Sequence, residues 1–114
     1  MTHKMKLQKQ AFERIRRGEK IIELRLCDEK RQKVKVGDVV EFSSLEEPDE
    51  KITAKVKGLL YYKTFKDLIN DIPATYFGFT EEDKPWLVES MYDIYSKEKE
   101  EALGVLGIRI EVIK

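Results

Sequence analysis

The chain has 114 residues, the length of one ordinary domain, and 41% of them are hydrophobic while 39% are charged. This composition is typical of one folded domain over residues 1–114 and excludes a disordered chain. No apolar run approaches the roughly 18 residues that cross a bilayer, and no apolar signal core follows Met1, so we expect a cytoplasmic protein without a membrane segment. One cysteine and one histidine form neither a disulfide nor a zinc site, so no metal or cofactor is expected.

The charges are balanced overall but unevenly distributed. Residues 1–37 contain 12 Lys and Arg against 5 Asp and Glu, whereas residues 38–114 contain 10 against 17. A basic segment attracts phosphate groups, and such binding weakens as salt is added. Because no unbroken basic block occurs, simple solvation of the surface explains the same distribution.

The first elements are predicted from periodicity and caps. A short strand is expected around Met5 and Leu7, and residues 8–17 follow as a helix. Gly18 then ends the helix, in the left-handed conformation usual at that position. From Ile21 to Cys27 apolar and polar residues alternate, which predicts a strand whose two faces differ in polarity.

The rest of the chain is divided by turn residues and helix caps. Gly37 marks a turn, Thr64 with Asp67 forms a cap at a helix start, and Asp83 precedes a helix that reaches Tyr95. Strands are predicted over residues 39–43, 52–60 and 105–113. The sum is about five strands and about three helices. Because the strands alternate in polarity as antiparallel strands do, we expect an α+β fold built on a small, mostly antiparallel barrel rather than a doubly wound sheet.

Residues 18–25, Gly-Glu-Lys-Ile-Ile-Glu-Leu-Arg, carry the chemistry. Glu23 and Arg25 point to the same side of one strand, about 7 Å apart, and Lys20 precedes that strand. A ligand with both donors and acceptors, such as a nucleobase with a phosphate, suits an ammonium, a carboxylate and a guanidinium held together. An ordinary surface ion pair between Glu23 and Arg25 is the alternative.

This segment resembles the Gly-x-Lys-x-x-Glu-x-Arg motif of ASCH domains, and the resemblance extends from about residue 3 to 113. It implies a PUA-like β-barrel in which the motif lines a cleft between barrel and helices, with RNA or a modified nucleoside as the partner. Gly18 and Gly37 are then structural. The ligand-binding residues expected in this cleft are Lys20, Glu23, Arg25, His3 and Tyr95.

Two other functions remain open. One branch of small ASCH relatives hydrolyses N4-acetylcytidine, and the resemblance implies that Lys20 would be the nucleophile of such an enzyme. Lys20 and Glu23 are catalytic residues only if the chain is an enzyme, acting on that nucleoside or as a ribonuclease. Here Glu23 replaces the threonine of that branch, and the assisting glutamate corresponds best to Glu81 or Glu82. Glu23 would also stabilise a charged lysine, whereas a nucleophile must be neutral. A protein-binding adaptor is the second alternative, and it requires an exposed apolar patch.

Overall fold

The computed structural model describes residues 1–113, in which five strands and four α-helices form. The strands are β1 (Thr2–Leu7), β2 (Ile22–Leu26), β3 (Val39–Ser44), β4 (Lys51–Tyr62) and β5 (Val105–Val112). The helices are α1 (Lys9–Arg16), α2 (Phe65–Asp71), α3 (Lys84–Ile94) and α4 (Lys97–Leu103). Short 3₁₀ turns lie at Arg31–Lys33, Ala74–Phe77 and Glu81–Asp83.

The strands form one mixed sheet, curved into a half-barrel, in the order β1-β3-β4-β5-β2. Pairs β3–β4, β4–β5 and β5–β2 are antiparallel, and β1–β3 is parallel. The parallel pair arises because the chain leaves β1 through α1 and β2 before it returns beside β1 as β3. The predicted α+β class and the mostly antiparallel sheet are therefore confirmed.

Side chains alternate between the two faces of the sheet along each strand, and helices cover part of each face, while one face of β1 stays exposed. On the inner face, α1 packs its Phe12 and Ile15 onto side chains of β1, β3, β4 and β5. On the outer face, α2 and α3 cover β2 and the start of β5 with a second cluster: Ile22, Leu24, Leu26, Phe65, Leu68, Ile69, Phe77, Leu87, Val88 and Val105. By register Glu23 lies opposite Ile108 and Arg25 opposite Leu106, so both belong to the inner face.

Local sequence explains where the helices begin and end. Gly18 follows α1 with φ +76°, the left-handed conformation expected there. Arg14 and Arg16 lie in the last turn of α1, where positive charge interacts favourably with the helix dipole. The Thr64 hydroxyl accepts from the Asp67 backbone N–H at 3.0 Å and caps α2, as predicted.

The structure adds one helix to the three expected. Residues 97–103 form α4, whose Ser96 side chain accepts from the Lys99 backbone N–H at 3.2 Å. The segment after Pro73 is largely a 3₁₀ turn, and β4 continues beyond the predicted end to Tyr62 after a register shift near Gly58. Within residues 1–113, each helix is too short or too polar to span a membrane.

Candidate functional site

The beginning of the motif is fixed by backbone hydrogen bonds between α1 and β2. The backbone N–H groups of Glu19 and Lys20 both donate to the Arg14 carbonyl, at 2.9 and 3.1 Å. The Ile21 N–H donates to the carbonyl of Tyr76 at 2.9 Å, which ties this turn to the 3₁₀ segment Ala74–Phe77. The turn therefore sets the direction in which the Lys20 side chain leaves the backbone.

Two cationic side chains of the motif meet at the carboxylate of a third, Glu23. Glu23 is only 4% exposed. Its Oε1 accepts from Lys20 Nζ at 2.9 Å, and its Oε2 accepts from Arg25 Nε at 2.8 Å. The Leu24 backbone N–H also donates to Oε1, at 3.2 Å. Both carboxylate oxygens are thus satisfied, as a buried charge requires.

These contacts determine the charge of the group. Burial by itself raises the pKa of Glu23, but the charges and hydrogen bonds of Lys20 and Arg25 outweigh it and lower that pKa to about 2. Burial also opposes the charged form of Arg25, yet the carboxylate of Glu23 raises the pKa of Arg25. Lys20, Glu23 and Arg25 therefore form an ion triad with one surplus positive charge at neutral pH.

Arg25 also connects the two edges of the sheet. β1 and β2 occupy opposite ends of the strand order and do not pair with each other. Arg25 Nη2 on β2 nevertheless donates to the Lys6 carbonyl on β1 at 2.8 Å. The half-barrel therefore has a narrow seam, spanned by one arginine side chain.

A first cleft, called here the motif cleft, opens beside the beginning of the motif. It has a volume of about 530 Å³ and includes Gly18 and Lys20 in its lining. Its other charged side chains are Arg16, Arg17, Lys57, Arg109 and Glu111. Ile21 and Val112, both half-buried, give the same cleft some accessible apolar surface, and Ile15 and Ile110 lie almost fully buried behind it. It therefore offers both cationic groups and a surface for a flat apolar ring.

A second cleft, called here the seam cleft, lies where β1 and β3 approach the end of β2. Its volume is about 360 Å³, and Arg25 contributes to its lining. Lys20 and Arg25 thus line different clefts, while the Glu23 carboxylate that binds both is buried between them.

Tyr95 lies beside the triad at the end of α3. Its ring stacks on Phe65 with centroids 5.3 Å apart. Burial raises the pKa of the Tyr95 phenol, while the charge of Arg25 acts in the opposite direction and that of Glu23 raises it further. Tyr95 therefore belongs to the electrostatic surroundings of the triad, as a phenol that remains protonated at neutral pH.

His3 and Gly37 lie together elsewhere in the fold. His3 Nε2 and Asp38 Oδ2 are 2.8 Å apart, and this contact fixes the beginning of β1 against the turn before β3. Gly37 has φ +94° in that turn, and its N–H donates to the Val56 carbonyl at 2.9 Å. The partner of His3 is thus the carboxylate of Asp38, outside the triad.

Of the two glutamates considered as assisting groups, Glu81 has a role within its own turn. Its carboxylate accepts from the Ala74 N–H at 2.6 Å and pairs with Lys84 at 3.0 Å. Among residues 1–113, no group of three or more His, Cys, Asp or Glu side chains is arranged to hold a metal ion. Cys27 is half-buried, and burial raises the pKa of its thiol, which makes the reactive thiolate scarcer.

Several cleft residues were not identified from the sequence. Lys6, Lys30 and Arg31 in the seam cleft were counted only within the basic residues 1–37, and Lys57 and Arg109 in the motif cleft lie in residues 38–114, where acidic residues outnumber basic ones. The alternation along the last strand indicates one of these residues, because it places the Arg109 side chain on the face opposite to the buried Ile108 and Ile110. The others gather through the curvature of the sheet, which leaves no local pattern.

Comparison with known proteins gives a consistent result. The sequence-family model of the ASCH domain matches residues 5–114. The crystal structure of hypothetical protein PH0355 is similar with a TM-score of 0.86 and 34% identity, covering 99% of this chain and 100% of that one. The solution NMR structure of protein PF0455 from Pyrococcus furiosus has a TM-score of 0.78 and 30% identity, with coverage of 100% and 99%.

A more distant structure shares the fold alone. The crystal structure of ASCH from Zymomonas mobilis has a TM-score of 0.62 at 9% identity, covering 96% of this chain and 66% of that one. No curated protein matches the chain.

Proposed function

This chain belongs to the ASCH domain family, which is PUA-like and associated with RNA binding, and we propose that it binds RNA, or a nucleotide segment of it, in the motif cleft. The observation that carries the proposal is the lining of that cleft, where Lys20 of the motif lies among four other cationic side chains and one carboxylate, Glu111.

The size of the motif cleft suits one nucleotide. Ligand-binding clefts commonly have volumes of about 300–1,000 Å³ and combine apolar walls with a few placed polar groups. At about 530 Å³, the motif cleft falls within this range and has an apolar wall formed by the half-buried Ile21 and Val112. That wall can pack against the face of a base, while the cations remain directed at phosphate oxygens.

Two of the cations are available for a ligand. Arg16 pairs with Glu13 and Glu50, Arg17 with Glu19, and Lys20 with Glu23. Lys57 and Arg109, both exposed, make no ion pair within residues 1–113. A phosphate group approaching the cleft therefore meets two unneutralised cations, of which arginine can bind phosphate through two parallel hydrogen bonds.

The ion triad has a supporting role in this proposal. Because Glu23 holds Lys20 at 2.9 Å, the ammonium is kept in a defined position at the edge of the motif cleft. A side chain fixed before binding loses less conformational entropy when a ligand arrives. Lys20 is thus proposed as a pre-positioned donor rather than a mobile surface charge.

Salt-dependent RNA binding tests the proposal. Fluorescence anisotropy with labelled single-stranded and hairpin RNA should show an affinity that falls steeply between about 50 and 200 mM salt. Lys57→Gln and Arg109→Gln should each weaken binding and reduce the slope of log K against log salt by about 1. Lys66→Gln, which removes an exposed cation from α2, is the matched control and should leave the slope unchanged. A parent protein with no salt-sensitive affinity for any of these RNAs would refute the proposal.

A further inference from the structure

The seam cleft is the more electropositive of the two clefts. Its charged lining consists of Lys4, Lys6, Arg25, Lys30, Arg31 and Lys51, with Glu41 as the one carboxylate. Glu41 pairs with Lys51 at 3.3 Å, Glu23 pairs with Arg25, and Asp28 lies 3.8 Å from Arg31. Six cations thus face three carboxylates. In the motif cleft, five lining cations face Glu111 and four further carboxylates that pair with them.

The surplus charge comes from flexible side chains at the surface. Lys4 and Lys6 lie on the exposed face of β1, and Lys30 lies just before the 3₁₀ turn Arg31–Lys33. Within residues 1–113, none of these three lysines makes an ion pair. Their ammonium groups therefore remain available to an anion that enters the cleft.

Arg31 supplies an unsatisfied donor. Its side chain is 13% exposed, and its Nε is buried without a hydrogen-bond partner in the described part of the chain. A buried donor left unpaired is unfavourable, and most such groups in native proteins have a partner. The contact with Asp28, at 3.8 Å, is too long for a hydrogen bond and leaves the guanidinium able to turn toward another acceptor.

Arg25 places a second guanidinium in the same cleft. Its Nε is bound to Glu23 and its Nη2 to the Lys6 carbonyl, so the group is held rigidly at the seam. Guanidinium groups match the geometry of phosphate oxygens, and fixed ones lose little entropy on binding. Two arginines and three free lysines around one small cleft are therefore suited to a phosphate group rather than to a metal or an apolar ligand.

We propose that the seam cleft binds a backbone phosphate of the RNA whose nucleotide occupies the motif cleft, with Lys6, Lys30 and Arg31 as the contacting residues. This inference rests on the proposed function, and it assigns the second cleft to the same ligand. The two clefts are connected through Glu23, which binds Lys20 at one and Arg25 at the other. The RNA strand then crosses the molecule over the ion triad.

A double variant tests the assignment. Lys6→Gln with Lys30→Gln removes two exposed cations from the seam cleft and leaves the motif cleft and the triad intact. We expect weaker RNA binding and a slope of log K against log salt reduced by about 1, since one phosphate fewer is neutralised and fewer counterions are released on binding. The control is Lys66→Gln with Lys99→Gln on α2 and α4, which should keep the parent slope.

A second measurement follows Arg31 directly. In NMR spectra of the parent protein, the Arg31 Nε–H signal should move when RNA is added and when inorganic phosphate is added alone. If RNA binds with the parent slope in the Lys6/Lys30 variant, the inference is wrong while the proposed function stands. If phosphate shifts Arg31 but RNA does not, the cleft binds free phosphate and the inference is again wrong. Failure of the parent to bind RNA at all would instead refute the proposed function.

Discussion

Arg25 and Lys6 belong to the two edge strands of the sheet, and the Arg25 guanidinium donates to the Lys6 carbonyl at 2.8 Å. The same guanidinium is bound to Glu23, which also binds Lys20. One buried carboxylate thus organises the turn after α1, the strand β2 and the seam of the half-barrel. Its loss should affect stability and both clefts.

Glu23→Gln should destabilise the fold by about 3 kcal/mol, because it leaves two largely buried cations without their counter-charge. The value is at the lower end for buried pairs because Lys20 and Arg25 each keep some contact with water. Urea unfolding at pH 7 measures the change. Glu19→Gln is the control, since Glu19 forms an exposed pair with Arg17 and its loss should cost less than about 1 kcal/mol. Equal effects of the two substitutions would contradict this role for Glu23.

The lowered pKa of Glu23 predicts how the free energy of unfolding depends on pH. The pKa of Glu23 is lowered from 4.5 to about 2 in the folded protein. A lowered pKa stabilises the fold above the unfolded value, and this contribution disappears as pH falls through the folded value. The difference in unfolding free energy between the parent and Glu23→Gln should therefore be constant near pH 7 and shrink from about pH 4.5 down to about pH 2. Urea unfolding of both proteins over this pH range tests the prediction. A difference in unfolding free energy that stays constant down to pH 2 would contradict it.

Much of the fold was predictable because its signals are local. The strands β2, β4 and β5 alternate in polarity, Gly18 is left-handed after α1, and Thr64 caps α2. The fourth helix was missed because residues 97–101 are charged and only Ala102 and Leu103 are apolar. Its stability depends on the buried Glu100, whose partners lie in other helices, and no pattern within the segment indicates them.

The site was predictable only in part. Strand periodicity placed Glu23 and Arg25 on one side, and its place in the chain put Lys20 just before that strand, but neither indicates that Glu23 is 4% exposed. That burial arises because the sheet curves until β1 approaches β2, which is a long-range property. For the same reason the seam cleft, built from β1, β3, β4 and the segment after β2, has no signature in the sequence.

Tyr92→Phe tests the contact that holds α4. The Tyr92 hydroxyl donates to Glu100, at 3.0 and 2.9 Å from its two carboxylate oxygens, and the Phe65 N–H donates to Oε2 at 2.8 Å. Burial and the hydrogen bond to Glu100 raise the pKa of Tyr92 to about 12, so the phenol remains a donor at neutral pH. Its loss should lower the free energy of unfolding by about 1–3 kcal/mol. Tyr61→Phe, at a 60% exposed residue, should change it little, and equal urea midpoints for both variants would refute the role of Tyr92.

The chemical state of Lys20 distinguishes a binding module from a hydrolase. A nucleophilic lysine must be neutral, so any turnover should rise with pH, whereas a lysine that only binds an anion acts in its charged form. In this structure Lys20 Nζ lies 2.9 Å from a carboxylate whose pKa is about 2, and such a neighbour stabilises the ammonium. The threonine expected in the hydrolase branch is itself replaced by that carboxylate, Glu23.

Incubation of the purified protein with N4-acetylcytidine from about pH 6 to 10, followed by chromatography, therefore should give no product at any pH. Lys20→Arg is the control, because arginine keeps the positive charge but does not deprotonate in this range. It should also retain part of the affinity for RNA, since a guanidinium can pair with Glu23 at the edge of the motif cleft. Turnover in the parent that increases with pH and is absent in Lys20→Arg would establish Lys20 as a nucleophile.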